Sequence, residues 1–344
     1  ISLVLVAVSL VSIFTRGFDL GVDLQGGRSY VVELGKDVEV DALRAKIVAA
    51  LDNNEQVVIK TFNDSKQARI TTAFMQNETG VAADSVVLSR IYNATKEYAG
   101  ASISYADFAR NIPSPELTLK AATKVGPSVA DDINNSAYKT GGLALLAILL
   151  YIFLRFGRWQ YSAGAILALI HDVIITVGVF SLLKGLLPFA LEVNQEFIAA
   201  ILTVIGYSIN DTVIVFDRIR ETLKEEEGKG TPLATMVNDS INNTLSRTFM
   251  TSFTTLLVVL LLFFFGGDGV RGFAFALLVG IGVGTYSSIF VAAPLVVDLT
   301  KDASSITEEE FVPEHVKEER AAAAAAEAAA KAAEEAAAKD APKA

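Results

Sequence analysis

The sequence predicts a multi-span α-helical membrane protein, six helices with the first cut short, carrying one α+β domain of ferredoxin-like order outside the bilayer. Three observations predict it. Hydrophobic residues make up 52% of the 344 and mean hydropathy is +0.43, more than an ordinary soluble chain carries. The apolar residues fall in blocks close to the ~20 residues that a helix needs to cross a bilayer. A polar region of roughly 120 residues, a normal domain size, separates the first block from the others.

Residues 1–14, ISLVLVAVSLVSIF, are too short to span alone and fit the tail of a transmembrane helix ending by residue 16. The chain opens on Ile1, without Met, inside this run. It therefore reads as a fragment or processed product; no small-residue cleavage site follows to make it a signal peptide. Arg16 and the Gly-rich GFDLGVDLQGGRS mark the exit into a domain over 17–138. There, Ser29 to Leu34 is β-branched and aromatic and reads as a strand. Val40, Leu43, Ile47, Val48 and Leu51 recur at helical spacing within Val38 to Leu51. Gln56 to Phe62 and Ala68 to Phe74 alternate as strands joined by a turn at Asn63-Asp64-Ser65. Ala83 to Tyr98 reads as a helix and Leu117 to Val125 as a last strand, giving the order β-α-β-β-α-β.

Five apolar blocks follow within 139–299, at about 139–156, 160–183, 196–216, 248–265 and 272–296, with MVNDSINNTLSR (236–247) as a polar helix leading into the fifth span. Arg155 and Arg158 lie in one short loop; Arg218, Arg220, Lys224, Lys229 and Arg247 lie in another. The opposite loops carry only Lys184 and Arg271. The positive-inside bias places 155–159, 217–247 and the 300–344 tail in the cytoplasm and 17–138 outside. The tail is Ala-rich over 320–338 and has no apolar stripe to bury. The absence of Cys excludes disulfides and thiolate metal sites, and the net charge of −10 argues against nucleic acid as a partner. The polar domain contains no His and no nucleophile–base arrangement, so the chain does not read as an enzyme.

The residues able to carry chemistry interrupt the spans. Asp211 and Asn210 lie inside FIAAILTVIGYSINDTVIVFDRIR (197–220), where a carboxylate at membrane depth is costly and faces protein or water. Thr203, Tyr207 and Asp211 are spaced i, i+4, i+8, with Ser208 and Asn210 flanking, and read as one polar stripe. Arg247, Thr251, Thr254 and Thr255 form a second stripe headed by a cation. His171 and Asp172 interrupt the third span, with Thr176 one turn on. Together, Asp211, Arg247, Asn210, Asp172 and Thr251 are candidate proton-path residues, since a carboxylate, a guanidinium and hydroxyls in a low-dielectric bundle change protonation as helices shift. Plainer readings compete with this one. Asp211 lies near the cytoplasmic end of its span, Arg247 at a membrane edge where cations snorkel, and His171 and Asp172 serve equally to tie helices together. Asp217, Arg218 and Arg220 read most simply as flanking charges. Gly206, Gly280 and Gly284 are packing positions, the last two in GxxxG spacing. Two adjacent ligand-type residues at 171–172 without a matching cluster do not make a metal site.

The runs VIGYSINDTVIVFDRIRE (204–221), INNTLSRTFMTSFTTLL (241–257), LIHDVIITVGVFS (169–181) and VGPSVADDI (125–133) resemble the SecF subunits of the bacterial SecD/SecF export complex, in the resistance-nodulation-division superfamily. The likeness covers about residues 1–300. It implies six spans with a periplasmic domain between the first two, residence in the bacterial inner membrane, and promotion of Sec-dependent preprotein export driven by the proton motive force. Implied partners are SecD, the SecYEG translocon, YajC, YidC, preproteins on the periplasmic side and the lipid bilayer. No cofactor is implied beyond the coupling proton. By motif, the Asp of the NDT segment falls on Asp211 and the Arg of the SRT segment on Arg247. GVDLQGG (21–27) departs from this pattern. It has the DLQGG form typical of SecD, where SecF-type chains have a DFTGG-like form, and suggests the SecF half of a fused chain or a divergent SecF. The family path also uses an acidic residue of the SecD half, which is not found here, so the chain is expected not to conduct protons alone. The alternatives are a non-conducting scaffold of the translocon or insertase, and a small-molecule exporter of the same superfamily.

Overall fold

Local signals in the chain set where helices begin and end. The computed structural model describes residues 1–300 apart from 55–56, 63, 79, 188, 190 and 227–230. The 301–344 tail, Lys229, Gln56 and Asn63 lie outside the described residues. Helix α1 (Ser2–Arg16) is followed by β1 (Asp19–Leu20), α2 (Val22–Gln25), β2 (Gly27–Leu34), α3 (Val40–Ala50), β3 (Val57–Phe62), β4 (Asp64–Thr72), α4 (Val81–Ala99), α5 (Tyr105–Ala109) and β5 (Leu117–Val125). Then come α6 (Pro127–Phe156), α7 (Trp159–Leu182), β6 (Glu192–Val193), α8 (Gln195–Glu225), α9 (Leu233–Phe265), α10 (Asp268–Ser287), a π-helical turn at Ser288–Ala292, and α11 (Ala293–Leu299).

Strands β3-β4-β2-β5 form one antiparallel sheet in that order. The inward residues of the strands, such as Val32, Ile70 and Leu117, pack with Ile47 of α3 and Val87 and Ile91 of α4 in a single core. Asp64 and Ser65, expected in a turn, belong to β4, because Phe62 already pairs with Asp64 across a hairpin tighter than the composition suggests. The short elements β1, α2, α5 and β6 are absent from the sequence reading; two to five residues carry no readable period.

Five helical segments are long and apolar enough to cross a membrane: 127–156, 159–182, 195–225, 233–265 and 269–299. The shorter apolar α1 packs against α7, where Gly178 lies so close to Ser9 that a Cβ there has no room. The helices outrun their apolar blocks. The expected boundary at 138 falls inside α6, which starts at Pro127 behind the extended Gly126 and has no break there. Likewise 236–247 is continuous with the fifth span. Its Met236 and Val237 pack with Ile219 and Leu223 of α8, which is itself capped by Asn194 accepting from the Phe197 N–H at 2.9 Å. The π-helical turn precedes Pro294, which has no N–H to return to the carbonyl of Phe290.

The domain and the bundle are joined by a small platform. β1 pairs in parallel with β6, between α7 and α8. Asp19 meets Lys60 of β3 at 2.5 Å and Lys184 at 3.0 Å, while Arg69 of β4 reaches Glu192 at 3.3 Å. Asn134 of α6 donates to the Leu24 carbonyl at 2.8 Å. The GG pair makes this junction tight. Gly26 and Gly27 have φ of 73° and 119°, and a Cβ on Gly27 would lie 2.6 Å from the Thr72 carbonyl oxygen.

Burial alone pushes the Asp19 carboxyl up, but Lys60 and Lys184 together outweigh it and hold Asp19 below its ordinary 3.8. A depressed carboxylate contributes stability above its unfolded value, and that stability is lost as pH falls through the folded one. Asp19→Asn is therefore expected to speed hydrogen exchange at residues 19–21 and 192–194 at neutral pH. The difference from wild type should shrink only below about pH 3.8. Equal exchange at pH 7 would show that the platform does not depend on the ion pairs.

Candidate functional site in the membrane bundle

Two buried carboxylates lie where α7, α8, α9 and α10 meet. Asp172 is 1% exposed. Its Oδ2 accepts from the Ser208 hydroxyl of α8 at 2.6 Å and from the Ser287 hydroxyl of α10 at 2.8 Å, and its Oδ1 lies 3.0 Å from His171 Nδ1. Three elements thus converge on one side chain. The approach is possible because Gly284 leaves room: a Cβ there would be 3.0 Å from Ser208 Cβ and 3.5 Å from Asp172 Oδ2. One turn earlier, Gly280 receives Val204 of α8 in the same way.

Asp211 is fully buried and differently served. Its Oδ2 accepts from the Ser252 hydroxyl of α9 at 3.2 Å, and Ser252 in turn accepts from Thr285 of α10 at 2.7 Å. Tyr207 places its hydroxyl 3.4 Å from both Ser252 and Thr255. Asp211 Oδ1 is buried with no hydrogen-bond partner among the described residues, as are Thr248 Oγ1 and His171 Nε2. A buried polar atom without a partner is costly. The two protonation states of Asp211 also ask different things of their surroundings: the anion needs further donors, and the neutral acid becomes a donor itself. A change of protonation here has groups to reorganise on three helices.

Helical drift divides the predicted residues into two sets. Steps of four residues advance about 40° around a helix, so Asp211 lies roughly 80° from Thr203 rather than below it. Asp211, Ser208 and Asp172 point inward, whereas Thr203, Gly206 and Asn210 are exposed, and nothing lies within 4 Å of a Cβ on Gly206. On α9 the inward stripe is Ser240, Thr244, Thr248 and Ser252. Arg247 and Thr251 fall on the exposed side, and no side-chain partner of Arg247 occurs among the described residues. Arg247 and Asp211 are not brought together. Sequence reasoning missed Thr244, Thr248, Ser252, Thr285 and Ser287. The signal of Thr244, Thr248 and Ser252 was present as a run of hydroxyls one residue out of phase with the stripe headed by Arg247, whereas Thr285 and Ser287 lie on the separate helix α10. Asp217, read as a flanking charge, bonds Arg155 of α6 at 2.8 Å and so pins the far ends of α6 and α8. Among the described residues no three of His, Cys, Asp and Glu are grouped as a metal ion requires.

The same segments recur in known proteins. The family described as "Protein export membrane protein SecD/SecF, C-terminal" matches residues 105–302, and the SecD/SecF GG motif matches 11–38. The chain is 43% identical over 303 residues to the protein translocase subunit SecF of Rhodothermus marinus, covering 88% of this chain and 90% of that one. It is 38% identical over 326 residues to SecF of Vibrio alginolyticus, covering 93% and 91%. A crystal structure of SecDF from Thermus, a translocon-associated membrane protein, superposes with a TM-score of 0.70 at 36% identity. A SecDF in a super-membrane-facing form gives 0.56 at 35%. In each case 87% of this chain aligns but only 37% of the SecDF chain is spanned. With a family match over most of the bundle and SecF relatives aligned along nearly their whole length, the chain belongs to the SecD/SecF protein export membrane protein family.

Proposed function

We propose that the chain is a SecF-type accessory subunit of Sec-dependent protein export in the bacterial inner membrane. It couples proton movement to motion of its outer domain, with six spans, a ferredoxin-like periplasmic domain at 17–138 and a cytoplasmic tail. The observation that carries this reading is the half-built path. Asp211 is buried at membrane depth with one oxygen unsatisfied, while Asn210, Arg247 and Thr251 stand exposed on the span surface. Polar and charged groups at that depth face protein or a water-filled cavity rather than lipid. A homologous bundle covering this face, as SecD would, supplies the rest of the path, and the SecDF structures extend well beyond the segment matched here. SecYEG acts downstream as the translocon, and YajC and YidC are further partners of such an assembly.

In vitro translocation with and without a proton gradient tests the reading. Arg247→Met, exposed and without a side-chain partner among the described residues, is expected to abolish the gradient-dependent increment in preprotein export while the complex assembles normally. Full export from this variant would reject a role for Arg247 in the path. One observation favours the scaffold reading for part of the site: Asp172 already holds both Ser hydroxyls and His171, as a structural tie between helices does. On that reading, loss of Asp172 lowers assembly of the complex, and the gradient makes no difference to what remains.

A further inference from the structure

The proposed path leaves His171 of α7 unused. The residue is 6% exposed and its Nδ1 lies 3.0 Å from Asp172 Oδ1, while Nε2 is buried with no hydrogen-bond partner among the described residues. His171 and Asp172 are neighbours on one helix, so the contact between them joins no two helices. The ties between helices are the serines. Ser208 of α8 and Ser287 of α10 both donate to Asp172 Oδ2 and leave Oδ1 to the ring. A carboxylate that accepts on both oxygens is an anion, and Nδ1 then carries a proton. With Nε2 bare, the pair keeps an uncompensated negative charge in the bundle. With a proton on Nε2 it becomes an imidazolium–carboxylate pair without net charge, whose new N–H has no acceptor. The first state costs burial of charge, the second an unmade hydrogen bond. A ring whose task was to hold Asp172 needs one nitrogen; the second is where a proton enters and leaves.

The charged groups on the helices around α7 are directed elsewhere. Arg16 of α1 donates to the Lys184 carbonyl, Arg155 of α6 bonds Asp217, and Asp211 of α8 turns to Ser252. Arg271 of α10 donates to the Phe263 carbonyl, and Lys139 of α6 and Asp298 of α11 are exposed. The titratable group that does face the ring is Tyr286 of α10. It stacks on the imidazole with ring centres 6.3 Å apart and sets its hydroxyl 3.0 Å from Ser2 of α1. Consecutive residues of α10 thus serve different sites: Thr285 donates to the Ser252 that serves Asp211, Tyr286 covers His171, and Ser287 donates to Asp172. Thr285 and Ser287 each have a second acceptor, the Ile281 carbonyl at 2.8 Å and the Gly284 carbonyl at 3.1 Å, so neither hydroxyl is stranded if it leaves its site. The π-helical turn starts at the next residue, Ser288, and such turns recur at functional sites. A small rotation of α10 therefore alters the surroundings of both carboxylates together.

We propose that His171 is a second proton-binding group of the bundle, exchanging its proton at Nε2, with Asp172 as its positioning residue and α10 as its link to Asp211. The inference rests on the proton-coupled reading above. Only an N–H bond forms and breaks: the ring takes a proton from the path and returns it, and the pair passes between one negative charge and none.

Two measurements on the assembled complex test this. The first is gradient-dependent export by His171→Asn, whose amide still donates to Asp172 but takes up no proton. It is expected to assemble and to lose the gradient-dependent increment. The second reads the wild-type ring directly and does not depend on how a variant folds. Nitrogen-15 histidine spectra of the complex in bilayers separate a neutral Nδ1–H ring from an imidazolium, and the signal missing from His171→Asn is that of His171. Conversion between the two forms is expected within about pH 5 to 8, and Asp211→Asn is expected to move it. A ring that stays in one form, or a conversion that Asp211→Asn leaves unmoved, overturns the proposal. So does full gradient-dependent export from His171→Asn; if Asp211→Asn loses the increment in the same assay, the proposed function still stands. An increment kept by both variants overturns both.

Discussion

Asp211→Asn is expected to eliminate the proton-gradient-dependent part of preprotein export while leaving the complex assembled. The substitution keeps the shape and keeps an oxygen to accept from Ser252, so the fold should lose no more than about 1 kcal/mol. It removes the ability to change charge, on which every coupled step depends. The matched control is Asp172→Asn. Asp172 accepts from two serines and contacts His171, so an amide that keeps its oxygen on the serines forces His171 to accept at Nδ1 and to carry its proton on Nε2, which is buried with no partner among the described residues. That variant should fail in stability and assembly before it fails in coupling. Gradient-driven export by Asp211→Asn at the wild-type level would end the proton-path reading. A failure of both variants to assemble would instead make the two carboxylates one structural network.

Arg28→Met is expected to destabilise the α+β domain by about 3 kcal/mol, the lower end of what breaking a buried ion pair costs. Arg28 directly follows the GG pair and is 1% exposed. Its guanidinium bonds Asp84 at 2.6 and 2.9 Å and also donates to the carbonyls of Phe74, Met75 and Glu78 at 3.0 to 3.1 Å. Met fills much of the space but strands those three carbonyls, each a partial loss. The figure stays at the lower end because Asp84 is 40% exposed and keeps Lys124 at 2.7 Å. Lys124 first, and then Arg28, hold the Asp84 carboxyl below its ordinary 3.8. The Arg28–Asp84 clamp should therefore persist through mild acid and loosen only as pH falls below that value. Hydrogen exchange across 73–84 in the intact chain measures both effects; a change under about 1 kcal/mol would show that the carbonyls find other donors.

Much of this was legible before any coordinates. Asp211 stood out because a carboxylate inside an apolar run is rare and costly, whatever surrounds it. The strand order of the α+β domain followed from alternation and length, and Leu117 to Val125 is β5 to the residue. Gly280 and Gly284 were recognisable as close-packing positions from spacing alone, and both face α8. The short pieces were not legible. β1 and β6 are two residues each and exist only because the chain on either side brings them together.

The sequence by itself determined the long apolar helices, the separate α+β region and the presence of two carboxylates inside apolar runs, since hydrophobicity and period are local properties. It could not decide which polar residues face one another. Thr203, Asn210 and Asp211 share one helix within nine positions, as do Arg247, Thr248 and Ser252 within six, and a rotation of about 100° per residue separates an inward group from an outward one. Only the packing of α8 against α10, set by Gly280 and Gly284, and of α9 beside them, fixed that rotation. Tertiary structure thereby paired Asp211 with Ser252 rather than Arg247, bound Asp172 to Ser208 and Ser287, and left Arg247 on an exposed face of α9.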